Sequence, residues 1–138
     1  MNLATCTYQE FGPDMGTPVR TTVGAPSRLK LDYKLAGHAQ LITPTRPMLG
    51  LSKAAYELAY LRLLSSSGAE RILAELTAIH TAAGGTAAPL VLLCFDQLNK
   101  SGSWCHRTMF ATWWLQTTGQ EVPELGAKPD AGLDLTLF

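Results

Sequence analysis

The chain has 138 residues, 46% hydrophobic and 16% charged, which fits one globular domain and excludes an intrinsically disordered chain. Eleven basic and eleven acidic residues cancel. That balance argues against nucleic-acid binding through bulk charge and favours a small ligand or a protein partner. Three cysteines, Cys6, Cys94 and Cys105, are too few and too odd in number for a disulfide framework. The first residues lack the basic and apolar regions of a secretory signal. The longest apolar run, residues 89–95, is far shorter than the roughly 20 residues of a membrane span. The expected setting is the cytoplasm, with free thiols and no membrane.

Residues 3–8 alternate loosely and are β-prone, so they read as a first strand. A turn-rich stretch over 11–16 leads to a second strand at 18–23, closed by Gly24-Ala25-Pro26. Between 27 and 47 the pattern is poor, with an extended piece at 33–35 and a candidate third strand at 39–42. Ser52 is placed to cap a helix over 53–64, with Tyr56, Tyr60, Leu63 and Leu64 on one face. Ser67 and Glu70 have the spacing of a capping box that opens a second helix. That helix carries Ile72, Leu76, Ile79 and Ala83 along one side and stops at Gly84-Gly85.

Residues 90–95 are apolar on both parities, which suits a central strand buried on two faces. A polar loop over 96–103 leads to a last helix that starts near Trp104 or Cys105. Phe110, Trp113, Trp114 and Thr117 form its apolar side, and Gly119 supplies the stop. The Pro/Gly-rich extension, 120–138, is expected to pack on the domain formed by 1–119, with 133–137 as a short edge strand. The order of elements predicts an α/β domain of three layers, a mainly parallel sheet flanked by helices on both faces.

In open α/β sheets, ligands sit beyond the carboxyl ends of the strands. Cys94 and Asp96 share one face at such an end, and Cys105, His106 and Arg107 open the following helix. A helix start offers unpaired amides and a positive dipole end, and Arg107 adds a fork for phosphate or carboxylate. A thiol in that setting ionises readily, so Cys105 is the candidate nucleophile or redox thiol. Asp96 is placed to orient His106 or accept a proton, and together they would move protons. Cys94, among Leu and Val, also reads as a small core residue. Trp104 is a candidate stacking contact beside the site, whereas Phe110, Trp113 and Trp114 at helical spacing read as core.

No metal is expected, because Cys94, Cys105 and His106, with Cys6, His38 or His80 as a fourth ligand, lack the short paired spacing of zinc knuckles. No cofactor is expected either: dinucleotide, Walker and Cys-x5-Arg loops are all missing from the sequence.

These residues give the chain a resemblance to domain of unknown function family 488. It rests on Leu92-Leu93-Cys94-Phe95-Asp96 and on Cys105-His106-Arg107, and it is traced from 3 to 115. The resemblance implies a compact α/β domain with an unassigned enzymatic site at those residues. The family's early strand tends to read Asp-Val-Arg-x-x-Pro, whereas this chain has Thr21-Thr22-Val23-Gly24-Ala25-Pro26, with Arg20 or Arg28 as a nearby substitute for the arginine. The acid after Cys94 is Asp in place of the commoner Glu.

Two function classes follow. One is an enzyme in which Cys105, His106 and Asp96 act on a small anionic or nucleotide-like ligand held by Arg107, Cys94, Arg20 and Trp104. The other is a non-catalytic interaction module on the same fold, with a homodimer or another protein as partner.

Overall fold

Five consecutive buried residues, Leu90–Cys94, require cover on both faces and both edges, and the fold places them mid-sheet as β4. The computed structural model describes residues 1–95 and 104–126. Strand β1 (Leu3–Thr7) pairs with one edge of β4 and β2 (Thr17–Arg20) with the other, in parallel registers that set Leu3 and Thr17 beside Leu90. The two-residue β3 (Gly37–His38) lies outside β2, so the order is β1-β4-β2-β3, parallel throughout.

Side-chain alternation then sorts the core. Leu3, Val19, Leu90 and Leu92 face α1 (Lys53–Ser67), α2 (Ala69–Ala82) and α3 (His106–Thr118). Those helices supply Tyr56, Tyr60, Leu64, Ile72, Leu76, Phe110 and Trp114. Ala4, Cys6, Val91 and Leu93 face the opposite side, where the cover comes from Tyr8, Phe11, Met15, Leu29, Leu31, Tyr33 and Leu35. The α/β class and the parallel sheet agree with the sequence. The second face, however, is covered by no α-helix but by the 3-10 turn Pro13–Met15 and by residues 29–35, which alternate apolar and polar with period two and have no helical stripe to offer.

Two local expectations are corrected. Residues 39–42 are not a strand: Gln40–Ile42 forms a short 3-10 turn. The carboxylate of Glu75 accepts the amides of Gln40 and Leu41 at 3.0 and 2.9 Å, which turns those donors toward α2 and away from a sheet neighbour. Ser67 does not cap α2, because α1 runs on through Ser67 and the two helices meet at Gly68, whose φ of +82° suits glycine. Ser52 caps α1 as expected, accepting from the Ala55 amide, and Gly119 ends α3 in the left-handed region.

Past α3 the chain returns along the free edge of β1. The Thr5 amide donates to Pro123 O at 2.9 Å and the Leu125 amide donates to Thr5 O at 2.7 Å. Gln120 ties the turn, accepting from Trp114 Nε1 and donating to Met1 O. The expected edge strand at 133–137 lies outside the described residues.

Gly16 carries a backbone requirement: at its φ of +148° a β-carbon would strike the Pro89 carbonyl and press on Val91. Gly16→Ala is therefore expected to lower the unfolding free energy by about 2 kcal/mol in urea titration. Gly50→Ala, at a position with open space around it, should stay within about 0.5 kcal/mol of the parent.

Candidate functional site

Cys94 ends β4 on the face that looks toward the helices, and Cys105 is the N-cap residue of α3. A cap position usually carries an oxygen that accepts a helix amide. Cys105 makes no such bond, and its sulfur instead meets that of Cys94. The expectation of separate free thiols thus holds for Cys6 but not for this pair. The two Cα atoms are 7.8 Å apart, beyond the roughly 4.4–6.8 Å usual for cystine. The backbone therefore sets the sulfurs together while holding their anchors wide.

Arg107 was expected to hold a ligand's negative charge. The fold commits its guanidinium to the protein: Nε and Nη2 donate to the two carboxylate oxygens of Glu124 at 2.8 and 3.3 Å. Its Nη1 donates to Cys94 Sγ at 2.7 Å. The side chain has 0% exposure, and that of Glu124 has 13%. The one guanidinium therefore bridges the Glu124 carboxylate and the Cys94 sulfur.

His106 is turned by the chain that follows β2. Its Nε2 lies 2.8 Å from Thr21 O, and a carbonyl only accepts, so Nε2 carries the proton. Thr21 Oγ1, which donates to Leu93 O, receives the same N–H at 3.0 Å. Nδ1 is then the bare nitrogen, and it faces Cys105 Sγ at 3.7 Å. Burial pushes the imidazole pKa down to about 4, with the charge of Arg107 adding to that and the Thr21 hydrogen bond opposing it. The ring is neutral at neutral pH.

A hollow of about 110 Å³ reaches this cluster, with walls that include Thr22, Gly24, Leu49, Phe95, Cys94 and His106. Cys105 and Arg107 are not among its described walls. Arg20, expected at the ligand, donates from Nε to Thr22 O and from Nη2 to Val23 O, so it shapes the loop that forms one wall. Thr22 Oγ1 accepts from the Tyr8 hydroxyl and donates to Gly24 O, which pins the same loop. Trp104 packs edge-on against Tyr56 at 5.0 Å and lines a separate groove with Lys53 and Trp113. Asp96 lies outside the described residues.

The cluster thus gathers Cys94, Cys105, His106 and Arg107, while Arg20 acts on a wall and Trp104 sits elsewhere. Sequence reasoning missed Glu124 and Thr21. A buried arginine at a helix start needs a carboxylate, but nothing in the spacing selects Glu124 from the other acids. Comparison with protein-family models, curated proteins and solved structures finds no match to this chain.

Two outcomes follow. Glu124→Gln removes the carboxylate from a buried guanidinium and is expected to cost roughly 3 kcal/mol in urea titration. The second concerns pH. The unfolded imidazole of His106 protonates near pH 6.5, and the folded one near 4. Between those values the unfolded chain binds more protons, so stability declines as pH falls through that window and levels off below it. The decline should be about 3 kcal/mol in chelator-treated buffer and should largely vanish in His106→Gln. His38, whose pKa is also lowered by burial, adds a smaller decline of the same sign that His38→Gln isolates.

Proposed function

We propose that the chain is a thiol-dependent redox enzyme that works through the Cys94–Cys105 pair on a small oxidising substrate of the hydroperoxide class. The observation that carries this reading is the meeting of the two sulfurs between a guanidinium on one side and a bare imidazole nitrogen on the other. The hollow favours a substrate of a few heavy atoms over a nucleotide, since nucleotide-sized sites run from roughly 300 Å³ upward. Its walls offer Cys94 and His106 to that substrate, so Cys94 is assigned the attacking role and Cys105 the resolving one.

In the reduced state Arg107 supports a Cys94 thiolate, and the Cys105 S–H points its proton at His106 Nδ1. The thiolate attacks a peroxide oxygen, the O–O bond breaks, and the alkoxide leaves as an alcohol with a proton from water. Cys94 is then a sulfenic acid. The Cys105 sulfur attacks it, the S–O bond breaks, and hydroxide leaves as water with the proton given up by Cys105. The substrate has gained two electrons and the pair has become a disulfide, which an external dithiol reduces. A reducing compartment supports the cycle, and the cytoplasm is the setting we propose. The resemblance to family 488 enters the same proposal, supported by the way its two motif pieces converge in one cluster.

A second reading, the non-catalytic module, is favoured by the burial of Cys105, His106 and Arg107, exposed by 1%, 5% and 1%. On that reading the cluster is a structural staple. One experiment separates the two. With stoichiometric hydrogen peroxide, the redox reading expects Cys94 and Cys105 to be lost to thiol titration together and recovered with dithiothreitol. Cys105→Ser should stop at a sulfenic acid that dimedone traps on Cys94. Cys6, whose thiol burial pushes up to about 11, should stay reduced throughout. Retention of all thiols under excess peroxide leaves the staple reading standing.

A further inference from the structure

We infer that the reduced Cys94, Cys105 and His106 form a binding site for one soft divalent ion of the zinc class, with a fourth coordination position opening into the hollow. This inference goes beyond the redox reading and needs only that the sulfurs be unoxidised.

Cys94 Sγ, Cys105 Sγ and one ring nitrogen of His106 lie within 4.8 Å of one another, and all three residues are buried. The available nitrogen is Nδ1, because Nε2–H is held by the Thr21 carbonyl. A carbonyl that fixes the tautomer of a ligating histidine from behind is the usual outer support of a metal-bound imidazole. With the Nε2–H given to the Thr21 carbonyl, Nδ1 keeps its lone pair free for an ion.

Geometry points the same way. Two thiolates on a tetrahedral ion with metal–sulfur bonds of about 2.3 Å stand about 3.8 Å apart. The Cα separation of 7.8 Å exceeds what cystine uses and leaves room for the sulfurs to move apart around an ion. Charge closes the account. Among the described residues, two thiolates would balance a divalent cation, and Arg107 already pairs with Glu124. The Arg107 N–H on Cys94 Sγ then serves as a hydrogen bond to a metal-bound thiolate. Two sulfurs and an imidazole, with no carboxylate, select zinc-like ions over magnesium or calcium.

Three protein ligands with an open fourth position are the pattern of catalytic zinc, whereas structural zinc is fully enclosed by four. Here the hollow touches Cys94 and His106, the side from which water or a small ligand would complete the shell.

The test uses the whole chain, reduced and purified without oxygen, then titrated with cobalt(II) and afterwards with zinc. One cobalt per chain is expected, with strong near-ultraviolet absorption from thiolate-to-metal charge transfer that zinc abolishes on displacement. Cys105→Ser should weaken binding at least tenfold and reduce that absorption, His106→Gln should weaken it by about 10–100-fold, and Cys6→Ser should change neither. If a variant fails to fold by circular dichroism, the parent chain with its accessible thiols blocked by methyl methanethiosulfonate takes its place and should lose the band. Absence of a charge-transfer band in the reduced parent, or a band that survives thiol blocking, overturns the inference. Peroxide is not used in this test, so a failed redox cycle and a failed metal site are read separately.

Discussion

A guanidinium taken out of water must find its countercharge inside the protein, and this requirement at Arg107 organises the far end of the molecule. An ionised group buried without a partner costs several kcal/mol, so Glu124 has to stand beside it. The Glu124 carboxylate takes Arg107 at two positions and also accepts Thr5 Oγ1 and the Gly126 amide. One ion pair therefore locks the start of α3 to the edge of β1 and draws the chain after Gly119 along that edge. An open strand edge invites unwanted pairing, and here the return of residues 123–125 covers part of it.

The same guanidinium reaches Cys94, so the ion pair and the sulfur cluster are one arrangement. Parallel strands bring their carboxyl ends to one side of the sheet. That is why Cys94 at the end of β4 and Thr21 just beyond β2 stand near the mouth of α3. Thr21 turns His106, His106 faces Cys105, and Cys105 meets Cys94. Each group in this chain is held by a neighbour outside it: Leu93 O fixes the Thr21 hydroxyl, and the Tyr60 ring lies edge-on to the imidazole at 5.6 Å. A site held in this way is positioned before any ligand arrives.

Much of this was legible in the residues. The doubly apolar run at 90–94 announced a central strand, and Ser52 and Gly119 marked helix ends through local chemistry that tertiary context does not override. Cys94 and Cys105-His106-Arg107, grouped in the sequence reading, also lie together in space. What was hidden depended on pairing across the chain. Residues 39–42 looked like a strand until Glu75 of α2 claimed two of their amides. The cover of the second face, residues 29–35, carried a period-two signal, but without sheet partners it formed no strand. Arg107 looked like an anion holder because its carboxylate lies 17 residues on, and no short-range rule predicts that distance. No metal was expected for want of paired spacing, a criterion that applies when one short loop supplies both ligands. In the site we infer, a strand end and a helix cap would supply them.

The redox and metal readings share one physical root, which is the question of what satisfies the two sulfurs. Protons, each other, or a cation all can, and each choice asks something different of the backbone. The structure sets the sulfurs together across anchors 7.8 Å apart, whereas protonated thiols or an ion need the sulfurs apart while the anchors stay wide. Arg107 and the neutral His106 are common to all three states, since one supports negative charge on Cys94 and the other accepts from, or ligates beside, Cys105. An ion held by both thiolates occupies the lone pairs that attack on a peroxide requires. Metal occupancy and oxidation are therefore mutually exclusive at this pair, and an oxidant that closes the disulfide also expels the ion.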